Sequence, residues 1–133
     1  MPEQLEAMES LAQQVRMVLE AADLSAFGDL LDPDVRWGAP GDPSPACQNR
    51  DQALSWYRRA RQAGVRARVS ETAVLGDRIL VGLKVTGNQA AAEQGDEQDR
   101  WQVLTVRGGR VVDIVGFDDR AEAAAHAGPV PAE

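Results

Sequence analysis

The stretch WQVLTVRGGRVVDIVGFDD, residues 101–119, decides the fold. Two runs rich in Val, Leu, Ile and Thr flank Gly108-Gly109. Glycine accepts the positive φ that a tight hairpin turn demands, so the pattern predicts a β-hairpin with strands Arg100 to Arg107 and Arg110 to Asp118. Strict alternation along the second strand sets Val112, Ile114, Gly116 and Asp118 on one face. Val111, Asp113, Val115 and Phe117 fall on the other, with Asp113 expected on the convex side in solvent. On the first strand, Gln102 shares a face with Leu104 and Val106.

Working upstream, residues 87–99 (GNQAAAEQGDEQD) are polar and acidic and read as a long hairpin loop. Ile79 to Thr86 is a further strand, and Gly76-Asp77 a tight turn. Val65 to Leu75 alternates and forms the strand before it. These four strands make an antiparallel meander. Ahead of them, Gln52 to Ala63 reads as a helix capped by Asp51 and stopped by Gly64, with Ala53, Trp56, Tyr57 and Ala60 along one face. Gly38 to Asn49 holds three prolines, two glycines and Cys47, which makes it a loop. Asp34 to Trp37 is a short strand. Leu24 to Leu31 is a short helix capped by Asp23, with Phe27, Leu30 and Leu31 facing inward and Pro33 ending it.

The N-terminal segment, Glu3 to Ala22, carries Leu5, Met8, Ala12, Val15, Leu19 and Ala22 at alternating spacings of three and four, widened by Leu11 and Val18. That is the apolar stripe of an amphipathic helix. At the other end, Ala121 to Ala127 reads as a final helical turn followed by a frayed tail. Helices grouped ahead of an antiparallel sheet predict an α+β fold. A curved meander closed by helices makes a cone-shaped α+β barrel, here a single domain over residues 1–133. Its mouth is a usual place for a small ligand.

Composition narrows the function. The chain has 133 residues, 44% hydrophobic, with a formal net charge of -7. An acidic surface repels phosphate backbones and anionic lipid, so neither nucleic acid nor membrane is an expected partner. No apolar run approaches the roughly 20 residues of a membrane helix. The polar, acidic beginning MPEQLEAMES is unlike a signal peptide, and the single cysteine cannot form an internal disulfide. A cytoplasmic location is therefore expected. One His and one Cys make a structural zinc site unexpected, and Glu93, Asp96, Glu97 and Asp99 lack the spacing of a calcium loop. No nucleotide, hydrolase or metalloprotease motif is present, so no cofactor is expected. The cluster Arg58, Arg59, Arg61, Arg66 and Arg68 is expected to pair with carboxylates.

The runs LLDPDVRW, RDQALSWYRRARQAG, GDRILVGLKVTG and WQVLTVRGGRVVDIVGFDDRAEA together resemble the nuclear transport factor 2-like superfamily, and within it bacterial SnoaL-like domains. The resemblance covers Leu11 to Ala125 and is one of elements and turns. It implies the cone fold, a homodimer through the sheet, and a superfamily of ketosteroid isomerases, polyketide cyclases, epoxide hydrolases, dehydratases and non-catalytic ligand-binding domains. Carried over by position, the isomerases' general base falls near Trp37, which cannot take a proton from carbon. Their oxyanion-hole Tyr falls near Val15, which has no hydroxyl. Their oxyanion-hole Asp falls near Gln102, whose amide can still donate to a carbonyl or enolate oxygen. The acid of cyclases and epoxide hydrolases falls near Gly116.

Two functions follow from these residues. One is a domain that binds a small apolar molecule in the cone without a recognisable set of catalytic acids. Its walls would be Trp37, Tyr57, Trp101, Leu104 and Ile114, although Trp101 would instead serve an interface if it lay on the outer face. The other is an isomerase, cyclase, dehydratase or hydrolase of polyketide- or terpenoid-type substrates, with Asp118 as acid or base and Gln102 orienting an oxygen. Asp118 has a second reading as a strand-end residue capping the last helix. A Cys47–His126 dyad would be a third arrangement of reactive groups.

Overall fold

The computed structural model describes residues 2–21, 23–38, 47–87, 95 and 97–127. Most of the Pro-rich loop, most of the acidic hairpin loop with Glu93 and Asp96, and the tail lie outside the described residues. The chain runs α1 (Pro2–Ala21), α2 (Leu24–Leu30), β1 (Leu31–Gly38), α3 (Arg50–Gln62), β2 (Arg66–Leu75), β3 (Arg78–Thr86), β4 (Gln98–Arg107), β5 (Arg110–Phe117) and α4 (Arg120–Ala127).

The decisive hairpin forms as its glycines dictate. Gly108 and Gly109 sit at φ 60 and 78, and Arg107 faces Arg110 across the turn. Both central residues at positive φ give the primed turn whose twist matches the flanking strands. The meander β2-β3-β4-β5 is antiparallel throughout. A fifth strand extends it: β1 pairs parallel with β5 at the sheet edge, giving the order β1-β5-β4-β3-β2. The result is an α+β cone with a curved, open, mixed sheet.

β1 begins at Leu31 and not at Asp34, and Pro33 lies inside it. An edge strand tolerates proline where its ladder is interrupted, and the β1–β5 register shifts between Leu31 and Arg36. The cap of α3 is Asn49 and not Asp51. The Asn49 side chain accepts the Gln52 N–H at 2.9 Å, and the Gln52 side chain accepts the Gln48 N–H at 2.8 Å. Asp51 lies in the first turn, where negative charge suits the helix dipole.

A bulge corrects the expected faces of β5. Thr105 pairs with Asp113, but Val106 pairs with Val111, so Val112 is the extra residue. Val111 thereby joins Ile114 in the inner core, contrary to simple alternation. That core packs Met8, Leu11, Ala12, Val15 and Leu19 of α1 and Phe27 of α2 against Ile79, Val81, Leu104 and Ile114. Leu5, at the start of the expected stripe, is instead 52% exposed.

The outer face carries a second, smaller core. Leu80, Val103, Val115 and Phe117 are buried beneath Ala123 and Ala127 of α4. The Asp119 carboxylate accepts the Ala121 N–H at 2.8 Å, and its carbonyl accepts the Ala123 N–H at 3.1 Å, which starts the helix. Arg120 clasps Glu71 of β2 with two hydrogen bonds, at 2.8 and 3.2 Å, and its guanidinium lies 5.8 Å from the Trp101 ring centre.

Candidate functional site: the cavity in the cone

Between the inner face of the sheet and helices α1–α3 lies a cavity of about 580 Å³. That size suits a small organic molecule. One wall is aromatic. Trp37 of β1 stands 5.0 Å from Tyr57 and 4.9 Å from Trp56, both on α3, while Phe27 of α2 meets Tyr57 edge-on at 5.2 Å. The opposite side is aliphatic, with Leu83 and Val85 of β3. Such rings add packing energy beyond the area they bury and leave a rigid, apolar surface.

Polar groups occupy two places. In the interior, the Tyr57 phenol and the Gln102 side chain lie close enough to influence each other. Burial drives the Tyr57 phenol far above its ordinary range, and the Gln102 side chain opposes this only in part. An amide N–H can donate to a phenol oxygen, which has this lowering effect. Gln102 is buried, and Gly116 is its cross-strand neighbour on β5. At the rim, Arg100 forms an ion pair and hydrogen bond with Asp118. The Asp118 side chain is 76% exposed.

Gly116 explains how Arg100 crosses the strand. A Cβ at this position would stand 2.9 Å from Arg100 Nη2. The position where the resemblance implies an acid is therefore filled by a neighbour's guanidinium. Trp37, Gln102 and Gly116 all line the cavity, whereas Val15 is fully buried in the core.

The structure brings Trp37, Tyr57, Gln102 and Asp118 to one cavity. Three expected wall residues are elsewhere. Trp101 lies on the outer face, packed against the core beneath α4, because it alternates with the inward-facing Arg100 and Gln102. Leu104 and Ile114 share the inner face but sit deeper, sealed in the main core. The Cys47–His126 dyad is ruled out by the sheet between them: Cys47 lines the cavity, while His126 packs on Phe117 at the outer face, 5.3 Å between ring centres. Asp113 is on the convex side but half-buried, against His126, Arg36 and Arg78, and not in free solvent.

Arg100 and Cys47 are lining residues that sequence reasoning passed over. Arg100 had a signal, since it shares the strand face of Gln102. Cys47 had none. It is held by a bridge in which the Trp37 and Cys47 backbones exchange hydrogen bonds of 2.9 and 3.1 Å, a pairing across a loop. Burial raises the Cys47 thiol pKa, with Arg59 opposing, so the group is kept as a neutral thiol. Among the described residues no group of three His, Cys, Asp or Glu side chains is placed to hold a metal, and no helix is long and apolar enough to cross a membrane.

Comparison with known proteins agrees with this architecture. A proposed ketosteroid isomerase from Kribbella flavida superposes with a TM-score of 0.70 at 19% identity, covering 86% of this chain and 79% of that one. A proposed SnoaL-like polyketide cyclase from Jannaschia gives 0.66 at 17% identity, covering 93% and 94%. An epoxide hydrolase of the limonene-epoxide-hydrolase-like kind from Mycobacterium tuberculosis gives 0.61 at 14% identity, covering 92% and 89%. No curated protein sequence matches the chain. The SnoaL-like domain family matches residues 12–114, most of the chain, and the protein belongs to that family.

Proposed function

We propose that the protein binds a small, largely apolar molecule in the cone and orients one of its oxygen atoms with Tyr57 and Gln102. The observation that carries this reading is the presence of Tyr57 and Gln102 together on the lining of an aromatic-walled cavity of about 580 Å³. A protonated phenol and an amide are both donors, and buried donors without an acceptor are costly, so they select a carbonyl, enol or hydroxyl oxygen. The rings of Phe27, Trp37 and Trp56 receive the apolar body.

A catalytic role would need a proton donor or acceptor beside the ligand. Asp118, the expected acid or base, is solvated at the rim and engaged by Arg100, which suits a positioning role better than proton transfer. A homodimer formed through the outer side of the sheet would meet α4 as well as the strands, since that helix covers part of this face.

The test is calorimetric titration with a matched pair, 2-acetylnaphthalene and 2-ethylnaphthalene, preceded by mass spectrometry of molecules that co-purify with the protein. The ketone should bind about 5- to 10-fold more tightly than the hydrocarbon, the worth of one hydrogen bond. Y57F and Q102L should each remove that advantage. Equal affinity of the pair for the unaltered protein would show that these two groups do not select an oxygen.

A further inference from the structure

We infer that the mouth of the cavity accepts an acidic group, so that the ligand is an apolar molecule carrying a carboxylate, which Arg100 takes in place of Asp118. This deepens the reading of the cavity as a ligand site and rests on it. Arg100 and Gln102 lie on one face of β4, two residues apart, a spacing of roughly 7 Å along the strand. A ligand reaching Gln102 with a neutral oxygen therefore passes the Arg100 guanidinium on its way in.

The guanidinium is placed for exchange. Gly116 leaves the space in which Nη2 lies, so the fork reaches over β5 at the cavity rim. Its present partner, Asp118, is 76% exposed against 36% for Arg100. An ion pair with so solvated an acid contributes little, because water screens it. A ligand carboxylate held against the aromatic wall is less screened, and the planar fork of arginine binds such an acid through two parallel hydrogen bonds. Asp118 returns to water at little cost when displaced.

A second guanidinium, Arg61 of α3, lines the same cavity with no ion pair among the described residues. The acids on the lining are differently employed. Asp23 caps α2 through the Ala26 N–H at 3.0 Å, and Glu122 stands on exposed α4. An amine ligand attracted to Asp118 and Glu122 is the competing outcome, and the test includes it.

The experiment is calorimetry at low ionic strength with three ligands of one shape: 2-naphthylacetate, the neutral 2-naphthylacetamide and the cationic 2-(2-naphthyl)ethylamine. The acid should bind at least 10-fold more tightly than the amide. R100Q should erase that preference, and D118N, which frees Arg100, should strengthen it. An acid that binds no better than the amide, an amine that binds best, or an acid preference that survives R100Q would each overturn the inference. Binding of the amide without acid preference overturns this inference alone. Failure of all three ligands to bind the unaltered protein counts against the cavity reading as well.

Discussion

The phenol of Tyr57 on α3 and the side chain of Gln102 on β4 meet on the lining of one cavity, close enough for Gln102 to influence the phenol. The two residues come from a helix and from the sheet, so the two elements together present polar groups where a ligand would end. Because burial raises the Tyr57 pKa, the phenol is a donor at every physiological pH.

This arrangement predicts a titration that is easy to read, since Tyr57 is the only tyrosine in the chain. The absorbance change at 295 nm that marks phenolate formation should begin well above the usual pKa near 10 in the folded protein, and near 10 in urea. Q102L should move it higher still, because the Gln102 side chain lowers the pKa. The linkage has a definite sign. A group whose folded pKa is raised contributes stability that is present below its unfolded pKa and is lost as pH rises through the folded one. The protein should therefore lose stability above about pH 10, and Y57F should lose less over the same range. Phenolate formation near pH 10 in the native state would show that the hydroxyl is solvated.

Leu104 and Ile114 mark the division between cavity and core. Ile114 is 1% exposed, beneath the site and not on its lining. I114V should cost about 0.5–1.5 kcal/mol in chemical denaturation, as a lost buried methyl group does. Ligand affinity should stay within twofold. A larger change in affinity than in stability would place Ile114 on the ligand surface.

Much of this was legible from residues alone, and the reasons differ by element. The glycine pair at 108–109 determines the hairpin, because few other residues adopt both turn angles. Gln102 was singled out by the resemblance and Asp118 by strand alternation, and both reach the cavity. Alternation gives faces, however, and not depth, so Leu104 and Ile114 were indistinguishable from wall residues. It also fails across a bulge, which is why Val111 changed sides. Trp101 had two readings, cavity wall or outer face, and its residue type could not choose between them. An aromatic residue is as apt for an outer core as for a pocket, and only α4 folding back over the sheet shows which core exists. Cys47 reaches the cavity through a backbone bridge to Trp37 that leaves no local pattern.

Gly82 and Trp101 form a tight pair on the outer face. A Cβ on Gly82 would lie 2.6 Å from Ser70 Oγ and nearer still to the edge of the Trp101 ring. The two residues are cross-strand partners in β3 and β4. G82A should therefore destabilise the protein by about 1–3 kcal/mol, the usual cost of overpacking. W101A in the same chain should recover part of that loss, giving a clear coupling in a double-mutant cycle. Simple additivity of the two changes would mean that the ring does not rest on Gly82.

Asp113 supplies the last prediction, a gain of stability on removing a charge. It lies on the outer face of β5, half-buried, with Arg36 as its register partner on β1 and with His126 and Arg78 near it. Burial raises its pKa above 3.8, and the three basic groups recover only part of the cost. A carboxyl whose folded pKa is raised favours the folded state when protonated, so its stabilising effect is full below 3.8 and is lost as pH rises through the folded value. At pH 7 the ionised group is a net burden. D113N keeps the shape and removes the charge, so it should raise the melting temperature at pH 7. The advantage should shrink as pH falls through the native pKa toward 3.8, where Asp113 is itself neutral. Thermal melts of both proteins from pH 4 to pH 8 test this. A D113N protein less stable at pH 7 than at pH 4, relative to the unaltered chain, would show that ion pairing with Arg36, Arg78 and His126 outweighs burial. Asp113 would then fasten α4 to the sheet through its charge.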